Sequence, residues 1–167
     1  NDTLTTYGGN DTLDGGTGSD TLNGGIGNDI YIMRGGDGQD VLSDAGGQDA
    51  LQLLGVTPGE LTVTRDASSL YLTLADGTRA KIDGWFANIA NRIEQVQFGD
   101  GTQWSAADLE AHIVVPTATA NADVLFGTQN ADAIGGLAGD DILSGQLGDD
   151  TLAGGLGNDQ LDGGQGN

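Results

Sequence analysis

The stretch GGTGSDTLNGGIGNDIYI, residues 15–32, states one nine-residue pattern twice: Gly-Gly-x-Gly-x-Asp, then three residues with an apolar one in the middle. Followed in both directions, the Asp recurs at 2, 11, 20, 29, 40 and 49, at steps of nine except for one step of eleven that contains the extra Met33 and Arg34. A second series, Asp123, Asp132, Asp141, Asp150 and Asp159, keeps the step of nine throughout. Two places after each Asp stands an apolar residue: Leu4, Leu13, Leu22, Tyr31, Leu42 and Leu51, then Leu125, Ile134, Leu143, Leu152 and Leu161. A unit this short cannot bury its own apolar side chain, so the units must stack on one another as a solenoid.

Each unit divides into a six-residue loop and a three-residue stretch rich in Thr, Ile and Val, which suits a very short strand. The loop glycines permit positive φ and close approach of neighbouring backbones. Asn121 and Asn130 stand in one of the glycine places, and Asn is the non-glycine residue that best tolerates that conformation. If each loop reverses the chain, two units make one coil, and loops of alternate units lie one strand spacing apart, about 4.8 Å. The neighbours are then Asp2 and Asp20, Asp11 and Asp29, Asp20 and Asp40, Asp29 and Asp49, Asp123 and Asp141, Asp132 and Asp150, and Asp141 and Asp159. Carboxylates that close repel unless a cation lies between them.

The chain cannot supply that cation. Its 167 residues carry 25 acids against five bases, a net charge of −20, and residues 121–167 hold no Lys or Arg. All the acids but Glu60, Glu94 and Glu110 are Asp, the short carboxylate that stays near the backbone. Closely spaced carboxylates with loop carbonyls form an all-oxygen cage of about six ligands, the preference of Ca²⁺. Mg²⁺ keeps more of its water. Zn²⁺ favours His and Cys, and the chain has no Cys and one His, His112, outside the repeats. One apolar side chain per nine residues is too little burial to offset the ordering of so many glycine-rich residues. Calcium is therefore expected to act as the folding switch, and without it the composition reads as disordered. The acidity argues against nucleic acid and anionic membranes as partners, and no apolar run approaches the roughly 18 to 20 residues of a spanning helix.

The chain reads as three parts: a first repeat block at 1–52, an intervening segment at 53–120, and a second block at 121–167. The segment holds four of the five basic residues, both Trp, both Pro and six of the 31 glycines. Leu61 and Val63, then Leu70, Leu72 and Leu74, alternate with polar residues as half-buried antiparallel strands do. Asp76-Gly77 and Asp100-Gly101 are turn signals. Ile93, Val96 and Phe98 suggest a further strand, and Ser105 with Asp108 predicts the start of a short helix through Glu110. Trp85, Phe86, Phe98 and Trp104 are the expected core.

The two arrays resemble the RTX (repeats-in-toxin) calcium-binding nonapeptides of secreted bacterial proteins. The stretch from Gly59 to Phe86, with Arg92–Leu109, is similar to the haemolysin-type calcium-binding related segment found between such blocks. The resemblance implies an all-β fold: two right-handed parallel β-roll blocks flanking a small antiparallel β segment with a short helix. It also implies calcium held between loops of alternate units by the Asp and by loop carbonyls. Residue by residue, this implicates Asp20 with Gly15, Gly16 and Gly18; Asp29 with Gly24, Gly25 and Gly27; and Asp40 with Gly35, Gly36 and Gly38. In the second array it implicates Asp141 with Gly136 and Gly139 (Gly135 lying one place out of register), Asp150 with Gly145 and Gly148, and Asp159 with Gly154, Gly155 and Gly157. Asp11, Asp49, Asp123 and Asp132 complete the candidate ligands, although the loops before the last three lack parts of the glycine pattern. Six or seven ions are expected. Asp14, Asp37, Asp44, Asp140, Asp149 and Asp162 fall outside the ligand place and are read as turn acids.

No Ser-His-Asp or Cys-His set is visible, and no nucleotide-type Gly-Lys-[Ser/Thr] follows the glycine loops. The expected function is a monomeric calcium-binding module of a larger secreted polypeptide. The resemblance implies that it leaves by a type I system and folds outside, and it is expected not to insert in membranes. Two alternatives stay open: the tail of a secreted lipase or protease, and a stalk stiffened by calcium in an adhesin.

Overall fold

Each nine-residue unit gives one strand and one turn. In the computed structural model, which describes residues 1–166, the first array forms β1 (Thr3–Thr5), β2 (Thr12–Asp14), β3 (Thr21–Asn23), β4 (Ile30–Arg34), β5 (Gln39–Ser43) and β6 (Ala50–Leu54). Asn167, the last residue of the expected second block, lies outside the described residues. Odd strands pair in parallel with odd and even with even: Leu4 faces Leu22, Leu22 faces Leu42, Leu13 faces Tyr31, and Tyr31 faces Leu51. This is the two-unit coil that the spacing predicts, with the extra Met33 and Arg34 absorbed in the longer β4. Leu13, Leu22, Tyr31, Leu42 and Leu51 are all buried, as is Met33. Arg34 stays outside, where it donates to both carboxylate oxygens of Asp14 at 2.9 and 2.8 Å.

Close stacking sets the glycine requirement. Gly27 has φ +144, and a Cβ built on it would sit 1.7 Å from the carbonyl oxygen of Gly9 in the coil before. No other residue fits there.

The intervening segment builds β7 (Leu61–Arg65), β8 (Leu70–Leu74), β9 (Arg79–Ile82), β10 (Gln95–Phe98), β11 (Gln103–Ser105) and α1 (Ala106–Ala111). The Asp76-Gly77 turn joins β8 and β9 as an antiparallel pair, and the Asp100-Gly101 turn joins β10 and β11 likewise. Beyond the antiparallel expectation, β9 pairs in parallel with β5, and β10 pairs in parallel with β6. The segment thereby extends both sheets of the first array, giving the orders β1-β3-β5-β9-β8-β7 and β11-β10-β6-β4-β2. A strand edge left bare would expose its unpaired amides and carbonyls, and here the edges of β5 and β6 are covered.

Helix α1 opens with the expected capping box: Ser105 Oγ accepts from the Asp108 N–H at 3.2 Å, and Asp108 Oδ2 accepts from the Ser105 N–H at 2.8 Å. Trp85 is fully buried and donates through Nε1 to Glu110 Oε1 at 3.0 Å, where Arg92 also pairs at 3.1 Å. Phe98 is buried, whereas Phe86 and Trp104 are half-buried at the margin of this core. Trp104 stacks on His112 with ring centroids 3.9 Å apart and meets Phe98 edge-on.

The second array forms β12 (Val124–Phe126), β13 (Ala133–Gly135), β14 (Ile142–Ser144), β15 (Thr151–Ala153) and β16 (Gln160–Asp162), in two parallel sheets, β12-β14-β16 and β13-β15. Leu125, Ile134 and Leu143 are its buried centre, with Leu152 packed against them and Leu161 half open. The described residues divide into two compact units, one of Asn1–Thr64 with Ser68–His112, the other chiefly from Ile113 onward.

Candidate metal centre

A backbone ladder holds the repeat Asp residues in columns. In every predicted neighbour pair the backbone N–H of the earlier Asp donates to Oδ1 of the later one. The distances are 2.5 Å for Asp2 to Asp20, 2.8 Å for Asp11 to Asp29, 2.9 Å for Asp20 to Asp40 and 2.8 Å for Asp29 to Asp49. In the second array they are 2.8 Å for Asp123 to Asp141, 2.9 Å for Asp132 to Asp150 and 3.1 Å for Asp141 to Asp159. One carboxylate oxygen of each later Asp is thus satisfied by the chain itself, a device that carboxylate spacing alone did not suggest.

The second oxygen is not. Oδ2 of Asp20, Asp29, Asp49, Asp141 and Asp150 is buried without a hydrogen-bond partner. A buried carboxylate oxygen left unpaired is costly. Four of these oxygens face the first glycine of their own loop: a Cβ on Gly15, Gly24, Gly136 or Gly145 would fall within 2.6 Å of Oδ2 of Asp20, Asp29, Asp141 or Asp150. Gly154 makes the same room for Asp159. Gly35 breaks the rule, since its nearest atom is on Asp76 and not on Asp40. The fourth-place glycines Gly18, Gly38, Gly139, Gly148 and Gly157 lie, like Gly27, against the preceding coil, as do Gly25 and Gly155. Gly16 and Gly36 face open space. The donor set is all oxygen, anionic and cradled by backbone, which fits a hard cation of calcium's size and charge.

Loops that depart from the glycine pattern treat the second oxygen differently. Oδ2 of Asp123 accepts from the N–H and Oγ1 of Thr119 at 2.6 and 3.0 Å, and Oδ2 of Asp132 accepts from the same groups of Thr128 at 2.6 and 2.9 Å. Threonine at the second loop place thus fills the role that stays open elsewhere. At the end of the first array, Glu94 of the intervening segment accepts from the Asp49 N–H at 2.8 Å through Oε2. In register Gln95 lies opposite Ala50, so Glu94 stands where the Asp of a further coil would.

Asp44, read from sequence as a turn acid, is buried and forms a cluster with Asp29 and Asp49 whose ligand oxygens lie within 4.8 Å of one another. Its signal was in the sequence: it occupies the first loop place, normally glycine. Tyr31, placed in the apolar row, adds a polar tip to this cluster. Its hydroxyl accepts from the Gly24 N–H at 2.9 Å and lies 2.7 Å from both Asp44 Oδ2 and the Ser43 carbonyl as acceptors. Burial, reinforced by Asp44, raises the Tyr31 phenol well above its ordinary value. Burial likewise pushes Asp49 up to about 7, with the carboxylates of Asp44 and Glu94 adding to the effect, and raises Asp40.

The RTX calcium-binding nonapeptide repeat model matches residues 1–31, 117–152 and 135–167, and the haemolysin-type calcium binding protein related domain matches residues 70–108. No curated protein matches the chain. Among solved structures, an extracellular lipase, LipA from Serratia marcescens, is similar at 20% identity and a TM-score of 0.44, over 96% of this chain and 29% of that one. The chain therefore spans less than a third of that protein's length. With both models matching in the order in which the arrays and the intervening segment occur, the chain belongs to the RTX haemolysin-type calcium-binding proteins, and its glycine-rich units are calcium-binding repeats.

Proposed function

We propose that this chain is a calcium-folded module of a larger secreted protein, disordered where calcium is scarce and ordered outside the cell. The observation that carries this reading is the set of five buried Oδ2 atoms without partners, at Asp20, Asp29, Asp49, Asp141 and Asp150. Bound calcium supplies the counter-charge those oxygens lack. The chain's own part is positional. The ladder to the preceding coil fixes Oδ1, the first-place glycines leave room for Oδ2, and the stacked loops present their carbonyls alongside.

Seven Asp side chains hold such ladder bonds, Asp20, Asp29, Asp40, Asp49, Asp141, Asp150 and Asp159. Six or seven ions follow as the proposed stoichiometry. The carbonyl ligands would come from Gly15, Gly16 and Gly18, Gly24, Gly25 and Gly27, and the matching glycines of the other loops. Weak extracellular sites match millimolar calcium, and a chain that folds only there suits export in an extended state by a type I system. The roll supports or stabilises a polypeptide whose activity lies in its other parts.

Circular dichroism during calcium and magnesium titrations tests this. In chelator a coil spectrum is expected, with a cooperative gain of β signal at millimolar calcium and little response to magnesium. A spectrum unchanged across the calcium titration overturns the reading.

A further inference from the structure

The loop from Asp44 to Asp49 stacks on the loop from Gly24 to Asp29: Ser43 lies opposite Asn23, the Ala45 N–H donates to the Gly25 carbonyl, and the Gly27 N–H donates to the Gly46 carbonyl. Asp44 therefore sits over Gly24, in the place where the repeats carry a glycine. It brings a third carboxylate to a position where the repeat pattern provides two. Asp29 and Asp49 are 1% exposed and Asp44 7%. Asp29 Oδ2 and Asp49 Oδ2 have no hydrogen-bond partner. Asp44 is oriented from both sides, by the Gly46 N–H on Oδ1 at 2.7 Å and the Tyr31 hydroxyl on Oδ2 at 2.7 Å. Among the described residues, the ion pairs of the first array use Asp14, Asp20 and Asp37, and none reaches this cluster.

We propose that Asp29, Asp44 and Asp49 form a three-carboxylate cation site, a repeat site to which Asp44 adds a ligand outside the repeat pattern, and that it binds calcium more tightly than the other loops and fills first. Calcium affinity in oxygen cages rises with the number of charged ligands and with the rigidity of the cage. This cage has an extra carboxylate and a hydroxyl that fixes it. Tyr31 is a positioning residue, acting through Asp44. The inference rests on the proposed calcium-dependent folding, and it locates where that process begins.

Terbium(III), a trivalent oxygen-seeking probe, tests it through luminescence sensitised by tyrosine, with calcium as competitor, on the whole chain. The unaltered chain should show a first, tightest phase displaced by calcium. Asp44→Asn and Asp44→Gly should each weaken that phase about tenfold or more, in line with the dependence on ligand charge, while later phases persist. Asp44→Gly restores the repeat glycine and should keep the fold, which circular dichroism at saturating calcium checks. Tyr31→Phe should remove most of the sensitised emission of the first phase. Asp162→Asn, which removes one acid from the second array, should leave that phase in place.

An unchanged first phase in both Asp44 variants overturns the proposal, because the tightest ion then does not depend on Asp44. Full emission retained in Tyr31→Phe also overturns it, because the first ion then lies elsewhere. If the unaltered chain folds with calcium while the Asp44 variants behave identically, only this inference falls. If the unaltered chain does not respond to calcium, both readings fall.

Discussion

The Asp49 N–H donates to Glu94 Oε2 at 2.8 Å across 45 residues of sequence. In every earlier coil of the array that N–H is held by the repeat Asp of the next coil, and here the intervening segment supplies the acceptor. Glu94 is the terminator of the ladder. Removing it leaves the Asp49 amide without its partner, a loss of about 1 to 2 kcal/mol. Glu94→Ala should lower the thermal midpoint in saturating calcium, and Glu94→Gln, which keeps an acceptor oxygen, should lower it less. Equal midpoints for Glu94→Ala and the unaltered chain would show that the ladder needs no terminator.

Each array should lose calcium separately. Asp20→Ala removes both the acceptor for the Asp2 N–H and a buried unpartnered oxygen, and Asp150→Ala does the same beside Asp132. Calorimetric titration should find a reduced number of bound ions in each variant, with the array that was not altered keeping its own. Unaltered stoichiometry in both would remove these residues from the ligand set.

Thr128 makes the contrary prediction. Its hydroxyl and amide already serve Asp132 Oδ2, so Thr128→Val should cost about 1 kcal/mol with no change in the number of ions bound. A loss of bound calcium in this variant would mean that threonine holds a ligand carboxylate in place for the metal.

Burial sets the sign of the pH response. The Asp49 carboxyl is raised to about 7 in the folded chain, and Asp40 moves the same way. An acid whose folded value lies above its unfolded value is penalised once ionised. Its contribution is fully favourable below about pH 4, near the ordinary Asp value, and is lost as pH rises through about 7. In chelator, lowering the pH from 8 to 5 should therefore increase β signal in the dichroism spectrum. In calcium the same change should weaken binding, because protons compete for the same oxygens. A chelated chain that gains structure as pH rises would contradict the first expectation, and calcium binding that tightens as pH falls would contradict the second.

The coil geometry was legible because the repeat is strict. With Asp and Leu at fixed places, the step of nine prescribes strand, turn and stacking partner, and all seven predicted Asp neighbours meet in the structure. Less legible was how a carboxylate divides its two oxygens, since the ladder from Asp11 to Asp29 is a backbone contact that residue identity does not announce. Glu94 escaped notice because it lies outside the repeats, and only the register of β10 on β6 brings it to Asp49. Asp44 and Tyr31 were hidden for another reason. Each replaces an expected residue with a similar local role, a turn former and a core apolar group, and only their meeting in three dimensions gives them a shared chemistry.

The ladder runs one way. Within the first array, every repeat carboxylate after the first coil reaches back to an amide of the coil before it, and the amides of Asp2, Asp11, Asp20 and Asp29 are each held by a carboxylate from the coil that follows. The array is consequently unequal in its tolerance of trimming. Shortening it from the front frees side chains that can turn to water, whereas cutting it from behind strips main-chain donors of their only acceptors and unseats the coil that remains.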